Sequence, residues 1–250
     1  MARLDINGTM VDTDLVIFDK DGTLIDFEYY WGQRMRLCGQ QLLARIRGDE
    51  SLRRHLFASL GYDPDTGTTD PNGPLATATM TKIYTIATVV LYQHGFAWDQ
   101  AEELVRDTFI ACAGAAPTCD LLRELGQVRP LFERIVQAKA RVAVITSDDH
   151  RTTSETMALI GVDSLVSALA AGDDGFAMKP APDAFFYICE RLDVPPARAI
   201  MVGDTVADLR MAQLAGAGTR VGVLSGVCKA EDLEPYADVI IPSIDAIRIL

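Results

Sequence analysis

Three short apolar runs in this chain each stop at a polar cluster. Leu15-Val16-Ile17-Phe18 runs into Asp19-Lys20-Asp21-Gly22-Thr23. Arg141-Val142-Ala143-Val144-Ile145 runs into Thr146-Ser147, and Ala199-Ile200-Met201-Val202 into Gly203-Asp204, with Asp208 following. Runs that are continuously apolar, rich in β-branched residues and closed by turn residues read as strands buried on both faces, the habit of a parallel sheet. Arg220–Leu224 and Asp238–Ile241 read as two more. Helical patterns lie between them, at 130–140, 154–160, 182–192 and 208–215. Alternating strand and helix predicts a doubly wound, Rossmann-like α/β core. Ligands in such sheets bind beyond the carboxyl ends of the strands, where Asp19, Thr146 and Asp204 fall.

Residues 26–121 break the alternation. Helices are expected over 29–47, 51–60, 74–93 and 100–113, with a loop over 61–73 rich in Asp, Thr, Pro and Gly. The expected organisation is a core from 1–25 and 122–250, with an α-helical unit of 26–121 inserted as a cap.

The clustered residue types suit phosphoryl transfer. Asp19 is placed to attack phosphorus, giving an aspartyl phosphate. Asp21 can protonate the departing alcohol and later deprotonate water. Thr146 offers a hydroxyl, and its neighbours, Ser147 first, offer backbone N–H groups, to phosphoryl oxygens, and Lys179, before Pro180, offers fixed positive charge. Carboxylates beside a phosphate repel it. Mg²⁺ held by Asp19, the Asp21 carbonyl and Asp204, with Asp208 reaching it through water, would relieve that repulsion. Each segment alone also has a bland reading: a solvated turn, a strand-end threonine, a surface lysine, or, for Gly203-Asp204 with Asp208, a turn and helix cap. The four in order, each beside a core element, favour the chemical reading.

The set resembles the haloacid dehalogenase-like superfamily, whose signature is DxDx[TV], then Thr or Ser, then Lys, then GDxxxD. The resemblance covers the α/β part of the chain and implies that fold, Mg²⁺ dependence and an aspartyl-phosphate mechanism. The insert is similar to the helical cap found between the first two motifs of phosphoglycolate phosphatase-like members. Lys20 occupies a position commonly apolar in similar phosphatases; it either sits beside the active site or pairs with an acid behind the strand. Asp148-Asp149-His150 replaces less acidic residues and either orients a substrate amine or hydroxyl or forms the solvated start of a helix.

The expected activity is hydrolysis of a small phosphorylated metabolite, with phosphoglycolate and sugar phosphates as candidates. A phosphomutase or phosphotransferase is the alternative enzyme, and a catalytically silent binding module the alternative class. Arg34, Arg36, Lys82 and His94 are cap cations available to a substrate, although Arg34 and Arg36 read first as a solvated helix face. A net charge of −12 argues against a nucleic-acid partner. No apolar run approaches the roughly 20 residues of a membrane span. With no signal-peptide pattern, and Cys38, Cys112, Cys119, Cys189 and Cys228 in unpatterned spacing, a cytoplasmic protein with reduced thiols is expected.

Overall fold

A computed structural model describes residues 1–113 and 122–250. The chain divides into two compact units, Met1–Asp26 with Thr118–Leu250, and Phe27–Pro117. The second expected boundary, at 121, and Cys119 lie outside the described residues.

The first unit is built on a six-stranded parallel sheet. Its strands are β3 (Leu15–Phe18), β6 (Arg141–Ile145), β7 (Val166–Ala170), β8 (Ala199–Gly203), β9 (Thr219–Val223) and β10 (Val239–Ile241), in the order β10-β9-β8-β3-β6-β7. Every residue of β3 and β8 is buried, which is why their sequences are apolar without alternation. In the central register Phe18 lies opposite Val144 on one side and Val202 on the other. Asp19, Thr146 and Asp204 therefore leave the sheet at nearly one level and from adjacent strands.

Helices α6 (Val128–Gln137), α7 (His150–Leu159), α8 (Asp183–Arg191), α9 (Val206–Ala215) and the short α10 (Ala230–Leu233) complete the alternation. In α6, Val128, Leu131, Phe132 and Ile135 form one buried stripe at helical spacing, and the Phe132 ring meets Phe18 at 5.0 Å between centroids. Truncating such a fully buried phenylalanine to alanine costs about 3–5 kcal/mol. Phe185 and Ile188 of α8 pack with Met211 and Ala212 of α9 in the cluster that covers Leu15 and Ile17. Two layers of side chains thus clamp β3 and fix the backbone that carries Asp19.

A second, antiparallel sheet joins the chain's two ends. β1 (Ala2–Ile6) pairs with β2 (Thr9–Thr13) and with β11 (Ile247–Ile249). Its hairpin turns at Asn7 and Gly8, both with positive φ, the conformations a two-residue hairpin turn demands. These strands are an addition to the sequence expectations, as is the location of β7.

The unit Phe27–Pro117 contains α1 (Gln33–Ile46), α2 (Glu50–Leu60), α3 (Pro74–Thr77), α4 (Met80–Gln93) and α5 (Trp98–Ala113). A π-helical turn over Glu28–Gly32 leads into α1. The expected continuous helix over 74–93 is instead broken at Ala78 and Thr79, whose backbones are extended. Thr77, Thr79 and Thr81 supply the weak helix propensity there. The expected loop over 61–73 holds a small ribbon, β4 (Tyr62–Asp63) with β5 (Thr68–Thr69). Glu28 anchors it by accepting hydrogen bonds from the Thr69 N–H at 2.7 Å and the Thr69 hydroxyl at 2.9 Å. Arg34 is buried, not part of a solvated face: its guanidinium stacks over the Tyr30 ring at 4.7 Å and donates to the Tyr30 hydroxyl. Arg36 and Lys82 are exposed, while half-buried His94 meets His55, with ring nitrogens 3.1 Å apart.

Candidate active site

Asp19 follows directly on β3, and its N–H donates to the Val202 carbonyl at 2.9 Å, continuing the sheet for one more residue. Its side chain is buried, and Lys179 Nζ donates to its Oδ1 at 2.5 Å. The same ammonium donates to Asp208 Oδ1 at 2.6 Å and to the Ile145 carbonyl at 2.9 Å. Three acceptors match the three protons of an ammonium group.

Asp204, one residue past β8, is buried at 1% exposure. Its Oδ2 accepts the Val227 N–H at 3.0 Å and its Oδ1 faces the Thr23 hydroxyl at 3.4 Å. Asp208 is the third residue of α9. Its Oδ2 accepts the Thr205 N–H at 3.1 Å and the Thr205 hydroxyl in a capping box, so the helix-cap reading holds for this residue. Its other oxygen faces Lys179. One side chain therefore caps the start of a helix and holds the central lysine.

Charge inside this cluster is unbalanced. Burial raises the Asp19 carboxyl to about 7; Lys179 opposes that rise, and Asp208 and Asp21 add to it. Burial, then repulsion from Asp19 and Asp208, holds Asp204 well above the carboxylate range. Burial works against the charge on Lys179, but Asp19 and Asp208 outweigh it and raise its pKa. Among the described residues, Asp19, Asp204 and Asp208 each offer an oxygen, all within 4.8 Å of one another. Opposite ligands of an Mg²⁺ ion stand about 4.2 Å apart when each bond is about 2.1 Å. Hard oxygen donors, this spacing and the excess negative charge fit a small divalent cation. Asp208 is held by Lys179 through one oxygen and by Thr205 through the other, whereas among the described residues Asp204 Oδ1 meets only the Thr23 hydroxyl, at 3.4 Å.

Thr146 is buried, and its hydroxyl accepts the Asp148 N–H at 3.1 Å; Ser147 is half-buried beside it. Asp149 and Asp148 part company. Asp149 caps α7, accepting the Thr152 N–H at 2.8 Å, whereas Asp148 is buried and takes Lys20 Nζ at 2.7 Å. Burial raises Asp148 to about 6, against the pull of Lys20. The acid that pairs with Lys20 lies at the carboxyl end of the sheet and not behind the strand. Lys20 also reaches Asp21 Oδ2 at 2.9 Å.

Sequence reasoning missed the segment after β9. The Ser225 hydroxyl donates to the Gly22 carbonyl at 2.9 Å, and a Cβ on Gly226 would lie 1.9 Å from Asp204 Oδ2. Its signal was a Ser-Gly pair just past a buried strand, the same placement as the other motifs.

Comparison with known proteins places the chain in a family. A phosphoglycolate phosphatase of Haemophilus influenzae is 29% identical over 108 residues, 43% of this chain and 48% of its own. One from Cupriavidus necator is 34% identical over 96 residues, 37% of this chain and 42% of its own. The chain thus spans about half the length of the curated relatives it matches. In fold, a crystal structure described as a predicted phosphoglycolate phosphatase from Haemophilus somnus superposes with a TM-score of 0.69 at 20% identity, over 94% of this chain and 96% of that one. The family model for haloacid dehalogenase-like hydrolases matches residues 13–216, and the chain belongs to that family.

Proposed function

We propose that this protein is a Mg²⁺-dependent phosphomonoesterase acting on a small phosphorylated metabolite through an aspartyl phosphate on Asp19. The observation that carries the reading is the meeting of Asp19 with Lys179, 2.5 Å apart, beside Asp204 and Asp208 at the carboxyl end of the sheet.

Asp19, Asp204 and the Asp21 carbonyl would hold the cation, with Asp208 orienting the group. Bound there, Mg²⁺ would offset the charge of the phosphate and of the carboxylates around it. In the first step Asp19 Oδ bonds to phosphorus as the ester P–O bond breaks. The departing oxygen keeps the bonding pair and takes the proton from Asp21, leaving an alcohol and an Asp21 carboxylate. In the second step water attacks the same phosphorus and gives a proton to Asp21. The bond to Asp19 breaks, and phosphate leaves. Lys179 would keep Asp19 oriented and supply positive charge, while the Thr146 and Ser147 hydroxyls and the Ser147 N–H would receive phosphoryl oxygens.

The helical unit Phe27–Pro117 is read as a cap. The names of the relatives make phosphoglycolate the first substrate to try. A cytoplasmic setting belongs to this reading, on the unpatterned spacing of the cysteines. The test is a panel of phosphorylated metabolites with Mg²⁺ or EDTA, followed by mass spectrometry of the acid-quenched enzyme. Phosphate release that needs the metal, with phosphoryl on Asp19, is expected. Metal-independent turnover, or phosphoryl on Ser, Thr or His, overturns the reading. Transfer to a sugar hydroxyl in place of water would identify a mutase.

A further inference from the structure

Lys20 is fully buried and its ammonium joins two carboxylates, Asp21 Oδ2 at 2.9 Å and Asp148 Oδ2 at 2.7 Å. Stability is a weak reason for it, because replacing a buried ion pair by apolar packing is often neutral. Asp148 is itself held firmly. Its N–H donates to the Thr146 hydroxyl at 3.1 Å, its Oδ1 accepts the Asp149 N–H at 2.8 Å, and its carbonyl accepts the Gly172 N–H at 2.8 Å. The backbone of Lys20 is equally fixed, its carbonyl accepting from Leu24 at 2.8 Å and Ile25 at 3.0 Å. Both ends of the Asp148–Lys20 link are therefore rigid.

Asp21 is clamped on one side only. Its Oδ2 faces Lys20, whereas its Oδ1 is buried with no hydrogen-bond partner among the described residues. Burying an acceptor without a partner is costly, so its orientation is imposed by its surroundings.

We infer that Lys20, braced by Asp148, is a positioning residue for proton transfer: it holds Asp21 by Oδ2 so that Oδ1 is the oxygen that exchanges the proton with the leaving group. The inference rests on the phosphatase reading above, in which Asp21 is the acid and base. Lys20 touches neither phosphorus nor the departing oxygen, and acts through Asp21 alone.

The test uses the whole protein with Mg²⁺ and three aryl esters of similar shape: phenyl, p-nitrophenyl and 2,4-dinitrophenyl phosphate. kcat/KM reports the first chemical step, and the need for a proton falls steeply along this series. Lys20→Met is expected to lower kcat/KM for phenyl phosphate by about tenfold or more, a share of the 10²–10⁴ that a positioned acid supplies. The dinitrophenyl ester should lose less than about threefold, since its leaving group departs without a proton. Asp148→Asn, which keeps the shape of the site, should show the same selectivity. Adding Lys20→Met to Asp21→Asn should remove nothing further from phenyl phosphate, because both changes remove one function. A uniform loss across the three esters, or a full additional loss in the double variant, overturns the inference and makes Lys20 a structural residue. If Lys20→Met does not fold, Asp148→Asn decides alone. Failure of the unaltered protein to hydrolyse any ester, including the panel of metabolites, would instead overturn the phosphatase reading.

Discussion

Gly22 and Asp204 are packed so closely that a Cβ on Gly22 would lie 2.3 Å from Asp204 Oδ2. Gly22 also has φ of +86°, a conformation other residues adopt only with strain of about 1–3 kcal/mol. The glycine lets the Asp19–Thr23 turn fold against the carboxylate that the metal reading requires. Gly22→Ala should therefore lower the melting temperature and push Asp204 aside. The Mg²⁺ concentration for half-maximal activity should rise by about tenfold, the change that roughly 1.4 kcal/mol brings. Unchanged metal dependence in a folded Gly22→Ala protein would count against Asp204 as a ligand.

Proton and metal should compete at Asp19. Between pH 3.8 and about 7 the folded, metal-free chain keeps a proton on Asp19 that the unfolded chain has released. The folded state binds more protons there, so this group lowers stability as pH rises through that window. A cation that requires the carboxylate reverses the trend. The rise in melting temperature on adding Mg²⁺ should be larger at pH 8 than at pH 6, and apparent Mg²⁺ affinity should fall by up to about tenfold per pH unit below 7. A pH-independent Mg²⁺ shift in melting temperature would contradict this account.

Asp19 and Asp21 should fail differently. Asp19→Asn removes the nucleophile and should yield no phosphoenzyme at any quench time. Asp21→Asn keeps the nucleophile and should slow turnover by about 10²-fold or more, with the deficit smallest on esters whose leaving groups need no proton. Quenched-flow mass spectrometry distinguishes the two, and a phosphoenzyme in Asp19→Asn would reassign the nucleophile.

The strands that carry Asp19, Thr146 and Asp204 were legible because burial on both faces leaves an unbroken apolar run. β7 was not: Val166-Ser167-Ala168-Leu169-Ala170, at the sheet edge, has two alanines, a leucine and a single polar residue, a composition shared by many helices. The β1–β2 hairpin carried its signal in Asn7-Gly8 and in alternating Ala2, Leu4 and Ile6, all buried. The pairing of Lys20 with Asp148 spans 128 positions and depends on the register of β3 with β6, which no local pattern states. The dual engagement of Asp208, capping α9 with one oxygen and holding Lys179 with the other, likewise appears only when two loops meet.

Lys179 offers the sharpest separation of folding from chemistry. It stands between Asp19 and Asp208, and the three side chains are exposed by 9% or less. Removing one member of a buried charge group leaves the others uncompensated, at a cost of about 3–5 kcal/mol. Lys179→Met should therefore destabilise the metal-free protein strongly, and Mg²⁺ should recover part of the loss by replacing the missing positive charge. Asp208→Asn in the same background removes one of the stranded carboxylates while its amide oxygen still accepts from Thr205 to cap α9. Stability should then return toward that of the unaltered protein, with a coupling between the two changes of about 0.5–3 kcal/mol in chemical denaturation. Activity should not return, because the charge that faces Asp19 and the transferring group is still absent. A double variant that regains both stability and turnover would show that Lys179 serves the fold and not the reaction.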